Sequence, residues 1–178
     1  MNNQDYEVYL KAVEHLNHNE TNLAIELLNE LSKKRNKKAI FELAKVYYNI
    51  GELKKSINLF VLSGESGYIE SYYYLGLIFL KLKDYQESYR YFLIGRNYPK
   101  SNLYLGILEL KGRIKSSSKK RAFLYFLSGS KKNVLECDYY LGICYQNGYG
   151  IKKNFDKMTY YFERAKRNQT DISLVEII

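Results

Sequence analysis

Apolar positions along this chain recur with a helical period and in a fixed register. A column of small residues, Ala12, Ala44, Gly76, Gly106 and Gly142, returns at intervals of 30 to 36 residues, and Leu precedes four of the five. A second column holds large apolar residues: Leu28, Phe60, Phe92, Phe126 and Phe162. Four residues before each stands Ala24, Ser56, Ser88, Ala122 or Met158, and three after each stands Leu31, Ser63, Gly95, Gly129 or Ala165, mostly small. Positions three and four apart share one helical face, so each period predicts two antiparallel helices. The small residue lets the helices approach, and the bulky one fills the space opposite.

Punctuation falls between these helices. Gly51, the stretch 112–118 and the stretch 147–150 separate first helices from second ones. Asp84, Ser118 and Asn154 stand at equivalent helix starts, where their side chains can accept from free amides. Glu87, three residues after Asp84, completes the pattern of a capping box. The step from first-helix small residue to second-helix small residue is 12 in the first three periods and 16 in the last two.

Leu141, Gly142, Tyr145, Gly148, Gly150, Tyr161, Phe162 and Ala165 together resemble a Sel-one-like repeat, the longer-turned relative of the tetratricopeptide repeat. Met158 departs from the family's Ala and Asn154 from its Asp. The fourth period keeps the long turn but has Glu109 in place of the aromatic and Ile114 in place of the second glycine. The first three periods resemble ordinary tetratricopeptide repeats. The expected fold is all-α: a right-handed superhelical solenoid of about five helix-turn-helix repeats. Residues 1–169 are expected to form one array, with units at about 5–36, 37–68, 69–99, 100–133 and 134–169. Residues 170–178 are expected to be a cap or tail, with Ile172, Val175 and Ile178 turned inward.

In such an array the first helices line a concave surface. Helical spacing places Tyr9, Val13, Lys38, Phe41, Lys45, Tyr48, Tyr73, Leu77, Leu103 and Tyr139 there as the candidate partner-binding groove. Rigid aromatic surfaces make strong contacts at little entropic cost. The same spacing also suits packing against the neighbouring repeat, and both readings stand at this point. The segment from Ile69 to Leu82 is apolar nearly all round, which requires burial on more than one side.

Composition sharpens this picture in two ways. At 46% hydrophobic residues the chain can bury a core, and it has no apolar run approaching the ~20 residues of a membrane span. Its start lacks a signal-peptide pattern, so a cytoplasmic protein is expected. The net charge of +9 is also unevenly placed, because residues 100–133 carry nine basic residues and one acid. Lys111, Arg113, Lys115, Lys119 and Lys120 lie in or beside the fourth long turn, and Lys152 and Lys153 in the fifth. In a regular stack these turns form one basic edge, able to attract an acidic protein, an anionic membrane or nucleic acid. No aromatic lies between Leu110 and Arg121, which argues locally against single-stranded nucleic acid.

Cys137 and Cys144, seven apart in one helix, should lie roughly 10 Å apart as free thiols. No histidine stands near them, and there is no phosphate loop or Cys-His pairing. No metal, cofactor or catalytic residue is therefore expected. What the resemblance implies is a non-enzymatic scaffold or adaptor that holds a peptide, helix or folded partner. An immunity protein wrapping a toxin is an alternative, and RNA binding through the basic edge a further one.

Overall fold

A computed structural model describes residues 3–167 of the chain. The expected cap at 170–178 lies outside the described residues. Among the described residues there are ten α-helices and no strand. They are α1 (Asn3–Asn17), α2 (Thr21–Lys33), α3 (Lys37–Asn49), α4 (Leu53–Glu65), α5 (Glu70–Lys81), α6 (Tyr85–Ile94), α7 (Ser101–Leu110), α8 (Lys119–Lys131), α9 (Glu136–Asn147) and α10 (Phe155–Arg167). The chain divides into two compact units, residues 1–78 and 79–178, with the boundary inside α5.

In the first unit α1 packs on α2, α2 on α3 and α3 on α4. Ala12 and Ala44 are fully buried, as are Leu28 and Phe60 from the second column. Each such large side chain contributes about 1.5–3 kcal/mol through its removal from water. Ser56, the small residue of α4, donates to the Ala44 carbonyl at 3.0 Å, so the close approach also satisfies a buried hydroxyl. Asn36 caps α3 by accepting from the amides of Lys38 and Ala39.

The second unit repeats this construction with glycine. In it α7 packs on α8 and α9 on α10. A Cβ on Gly106 would run into the Phe126 ring, and one on Gly142 would lie 2.6 Å from the Phe162 ring. The fully buried Phe126 therefore needs a bare backbone opposite, or at most a small side chain. Asp84 accepts from the Glu87 amide, Ser118 from Arg121 and Asn154 from Lys157. These are the three caps expected from sequence. The reciprocal half of the capping box is replaced: the Glu87 carboxylate pairs with Arg90 at 2.5 Å, because a guanidinium one helical turn on reaches it.

One packing device joins successive repeats. The second-column Phe of one repeat stacks on a Tyr two residues before the small residue of the next. The pairs are Phe60–Tyr74 (4.9 Å, 6°), Phe92–Tyr104 (5.0 Å, 9°) and Phe126–Tyr140 (4.7 Å, 9°). In the first step Leu28 and Glu42 occupy these places and no ring pair forms.

Candidate functional site

The expected groove residues split by burial. Tyr9, Phe41 and Tyr73 in the first unit, and Leu103 in the second, are at most 9% exposed. Phe41 shows why: it meets Phe60 and Tyr74 edge-on and stacks on Tyr68 at 5.4 Å, so its ring is spent on intramolecular packing. Burial, with the nearby Glu42 carboxylate second, pushes the Tyr9 hydroxyl up to about 12. These four residues belong to the core, so of the two readings left open by the sequence their burial favours packing. A residue on the inner face of a first helix touches the next first helix, and a large ring there closes the gap between them.

Val13, Lys45, Tyr48, Leu77 and Tyr139 remain half-buried, and Lys38 is exposed. In the first unit Lys38 lies 4.3 Å over the Tyr9 ring and Lys45 lies 5.1 Å over the Phe41 ring. Lys45 also pairs with Glu42 at 2.9 Å. The buried rings thus act as a rigid floor that holds cations upright. Beside them a recess of about 420 Å³ opens between the end of α1, the face of α3 and Tyr74; Leu16, Glu42, Lys45 and Val46 help to line it.

The second unit carries the basic edge. Lys111, Arg113, Lys115, Lys119, Lys120, Lys152 and Lys153 are all exposed. The fifth turn is pressed on the start of α8: a Cβ on Gly150 (φ +72) would meet the Lys119 carbonyl and lie 2.6 Å from the Lys120 Cα. That contact brings the two long turns together. It also recruits aromatics that are distant in sequence. Lys119 lies 4.2 Å over Tyr149, and Arg113 lies 5.2 Å over Tyr85. The absence of aromatics between Leu110 and Arg121 therefore says little about the edge itself, since its rings come from α6 and the fifth turn. Phe155, the first residue of α10, projects beside Lys152 and Lys153 with 76% of its surface exposed.

Beneath this edge lies a feature that the sequence marked only as a departure. Glu109, where the repeat pattern expects an aromatic, is buried with its side chain wholly inaccessible. It accepts from Arg121 Nε at 2.6 Å, the Ser118 amide at 2.7 Å and the Tyr89 hydroxyl at 2.8 Å, and Tyr89 in turn bonds Tyr125. Burial first, then these bonds to Tyr125 and Glu109, hold the Tyr89 hydroxyl well above its usual range. In the fifth repeat the equivalent Tyr145 stacks on Tyr161 at 5.7 Å. The substitution exchanges a ring stack for a carboxylate hub that ties the fourth long turn to the start of α8. A buried acid facing a basic turn was the available signal.

Cys137 and Cys144 are free and buried. Desolvation pushes the Cys144 thiol up to about 12 and raises Cys137 further. Asp138, also buried, pairs with Arg164 Nε at 2.7 Å. No cluster suited to a metal ion occurs among the described residues. Nor is any described helix long and apolar enough to cross a membrane.

No protein-family model matches the chain, and no curated protein matches it. Solved structures do resemble it. A protective antigen of uropathogenic Escherichia coli with an SLR fold, c5321, superposes with a TM-score of 0.77 at 18% identity over 87% of this chain and 35% of that one. A Sel1 repeat protein from Oxalobacter formigenes gives 0.74 at 18% identity over 83% of this chain and 63% of that one. The chain thus spans less than two thirds of either. MamA from Desulfovibrio magneticus RS-1 gives 0.65 at 12% identity over 96% of this chain and 99% of that one. With the registers and packing above, these similarities show the fold: an all-helical repeat fold like that of the SLR, Sel1 repeat and MamA structures.

Proposed function

We propose that the protein is a non-catalytic protein-binding module that engages its partner through the first-helix face of residues 1–78. The observation that carries this reading is the recess beside α3, lined by Leu16, Glu42, half-buried Lys45, Val46 and Tyr74, with Tyr48 packed edge-on against Tyr74 at 5.5 Å. A partner side chain entering it meets a surface already ordered, so little entropy is lost on binding. Lys38 and Lys45, fixed over their rings, favour a peptide or helix that offers a carboxylate beside an apolar anchor.

The test is capture from native lysate with the intact chain and with a Lys45→Glu, Tyr48→Ala variant. Circular dichroism and a melting curve show that the variant is folded. The expected result is a partner retained by the intact chain and lost by the variant. Retention of the same proteins at the same levels by both would refute the reading. Charge reversal at Lys119 and Lys120 is expected to leave this partner bound.

A further inference from the structure

The edge made by the two long turns has three properties that meet nowhere in the sequence. It is predominantly positive: seven exposed cations lie in or beside the turns and residues 110–135 contain no acid, against two exposed acids at its margin, Asp84 before Tyr85 and Asp156 after Phe155. Glu109, beneath it, is buried and engaged by Arg121. It carries ring faces set among those cations, Tyr149 against Lys119 and Tyr85 against Arg113. It also presents Phe155, the most exposed large hydrophobic residue of the described chain, at the start of α10 close to Lys152 and Lys153 in sequence.

Each property narrows the occupant. A folded protein partner presents both signs of charge, and a surface specific for it would mix signs in return. An edge with seven exposed cations and only two marginal acids complements a uniformly anionic polymer better than a surface of mixed sign. An anionic membrane would also be attracted, but a lasting hold on it needs a sizeable apolar insertion in addition to charge. Here the rings are spaced among the cations, and apart from Phe155 they lie half-buried. Cations that track a backbone, combined with flat rings on which bases stack, are the requirements for a single strand of nucleic acid. The starts of α6, α8 and α10 supply Tyr85, Lys119 and Phe155, so their amide ends add positive potential in the same region.

We propose that this edge binds single-stranded nucleic acid, with phosphates along the turn lysines and a base stacked on Phe155. The first-helix face of residues 1–78 takes no part, so this proposal and the protein-binding reading succeed or fail separately.

The probe is a fluorescein-labelled 15-nucleotide oligouridylate, followed by anisotropy with the full chain at 50 and 250 mM NaCl. With about four phosphates neutralised, affinity is expected to weaken about 100-fold between those concentrations. Phe155→Ala is expected to weaken binding at 50 mM about tenfold, and Phe155→Trp to retain it. Since Phe155 is 76% exposed, neither change threatens the fold. A Lys152→Glu, Lys153→Glu variant is expected to weaken binding at least as much. No binding at 50 mM would overturn the proposal. So would equal affinities of Phe155→Ala and the intact chain, which would mean charge attraction alone. Vesicles rich in phosphatidylserine that retain the protein while the oligonucleotide does not would overturn it in favour of a membrane surface.

Discussion

Glu109 is the residue whose removal has the clearest local consequence. Its carboxylate joins the Arg121 guanidinium, the Ser118 amide and the Tyr89 hydroxyl, and none of these has another carboxylate within the same hub. Glu109→Ala is expected to cost about 2–3 kcal/mol. That is less than the full penalty for breaking a buried pair, since the Arg121 side chain is 43% exposed and water can solvate what is left. The midpoint of urea unfolding measures it, and a change under 0.5 kcal/mol would remove the hub from the account. The cysteines make an independent test of packing. With Cys144 pushed up to about 12, only about one thiol in ten thousand is ionised at pH 8. The folded protein is therefore expected to resist a disulfide reagent for many minutes, while unfolding in guanidinium exposes two reactive thiols.

At the scale of the element, helix stops divide into those with a chemical signature and those without one. α9 ends on Gly148 at φ +75, in the left-handed region where glycine meets no steric cost. Yet Arg35 after α2 and Lys83 after α5 adopt the same left-handed backbone, at φ 58 and 61, with nothing in their side chains to favour it. Turn hydrogen bonds hold them there: the Asn36 amide donates to the Leu31 carbonyl across Arg35, and the Asp84 amide to the Phe79 carbonyl across Lys83. Lys83→Gly is accordingly expected to stabilise the chain by about 0.5–1 kcal/mol, relief of the left-handed strain exceeding the added entropy of the unfolded chain. A lower melting temperature in that variant would mean that the Lys83 side chain makes a contact worth more than the strain. The ring stacks between repeats are elements of the same kind. Tyr74, Tyr104 and Tyr140 share a position in the register, so the repeat was readable, but parallel stacking at 4.7–5.0 Å depends on how successive helices face each other.

At the scale of the whole molecule, charge is the property most out of balance. The excess of +9 lies almost entirely in residues 100–133, where exposed cations face one another across adjacent turns. Their mutual repulsion is greater in the folded chain than in the expanded one, and salt screens it within about 10 Å at 0.1 M. Raising NaCl from 20 to 200 mM is therefore expected to raise Tm by about 2–4 °C, with a flat or falling Tm as the contrary result. Replacing Lys119 and Lys120 with Glu should abolish most of the rise.

Sequence by itself determined the helical repeat, because small and large residues in register three and four apart can satisfy one another only across a pair of packed helices. It determined the caps at Asp84, Ser118 and Asn154, since a short polar side chain before a helix start acts on amides two or three residues away. It also located the charge. Tertiary structure alone decided which of the first-helix inner-face residues are core: Tyr9, Phe41, Tyr73 and Leu103 are buried by neighbours whose orientation no single period specifies. It likewise decided that Tyr85 and Tyr149 stand among the turn cations, and that Glu109 is an internal ligand for Arg121. Register is a local, one-dimensional property that short-range sterics enforce, whereas burial and the company a charge keeps depend on chain segments tens of residues apart meeting in space.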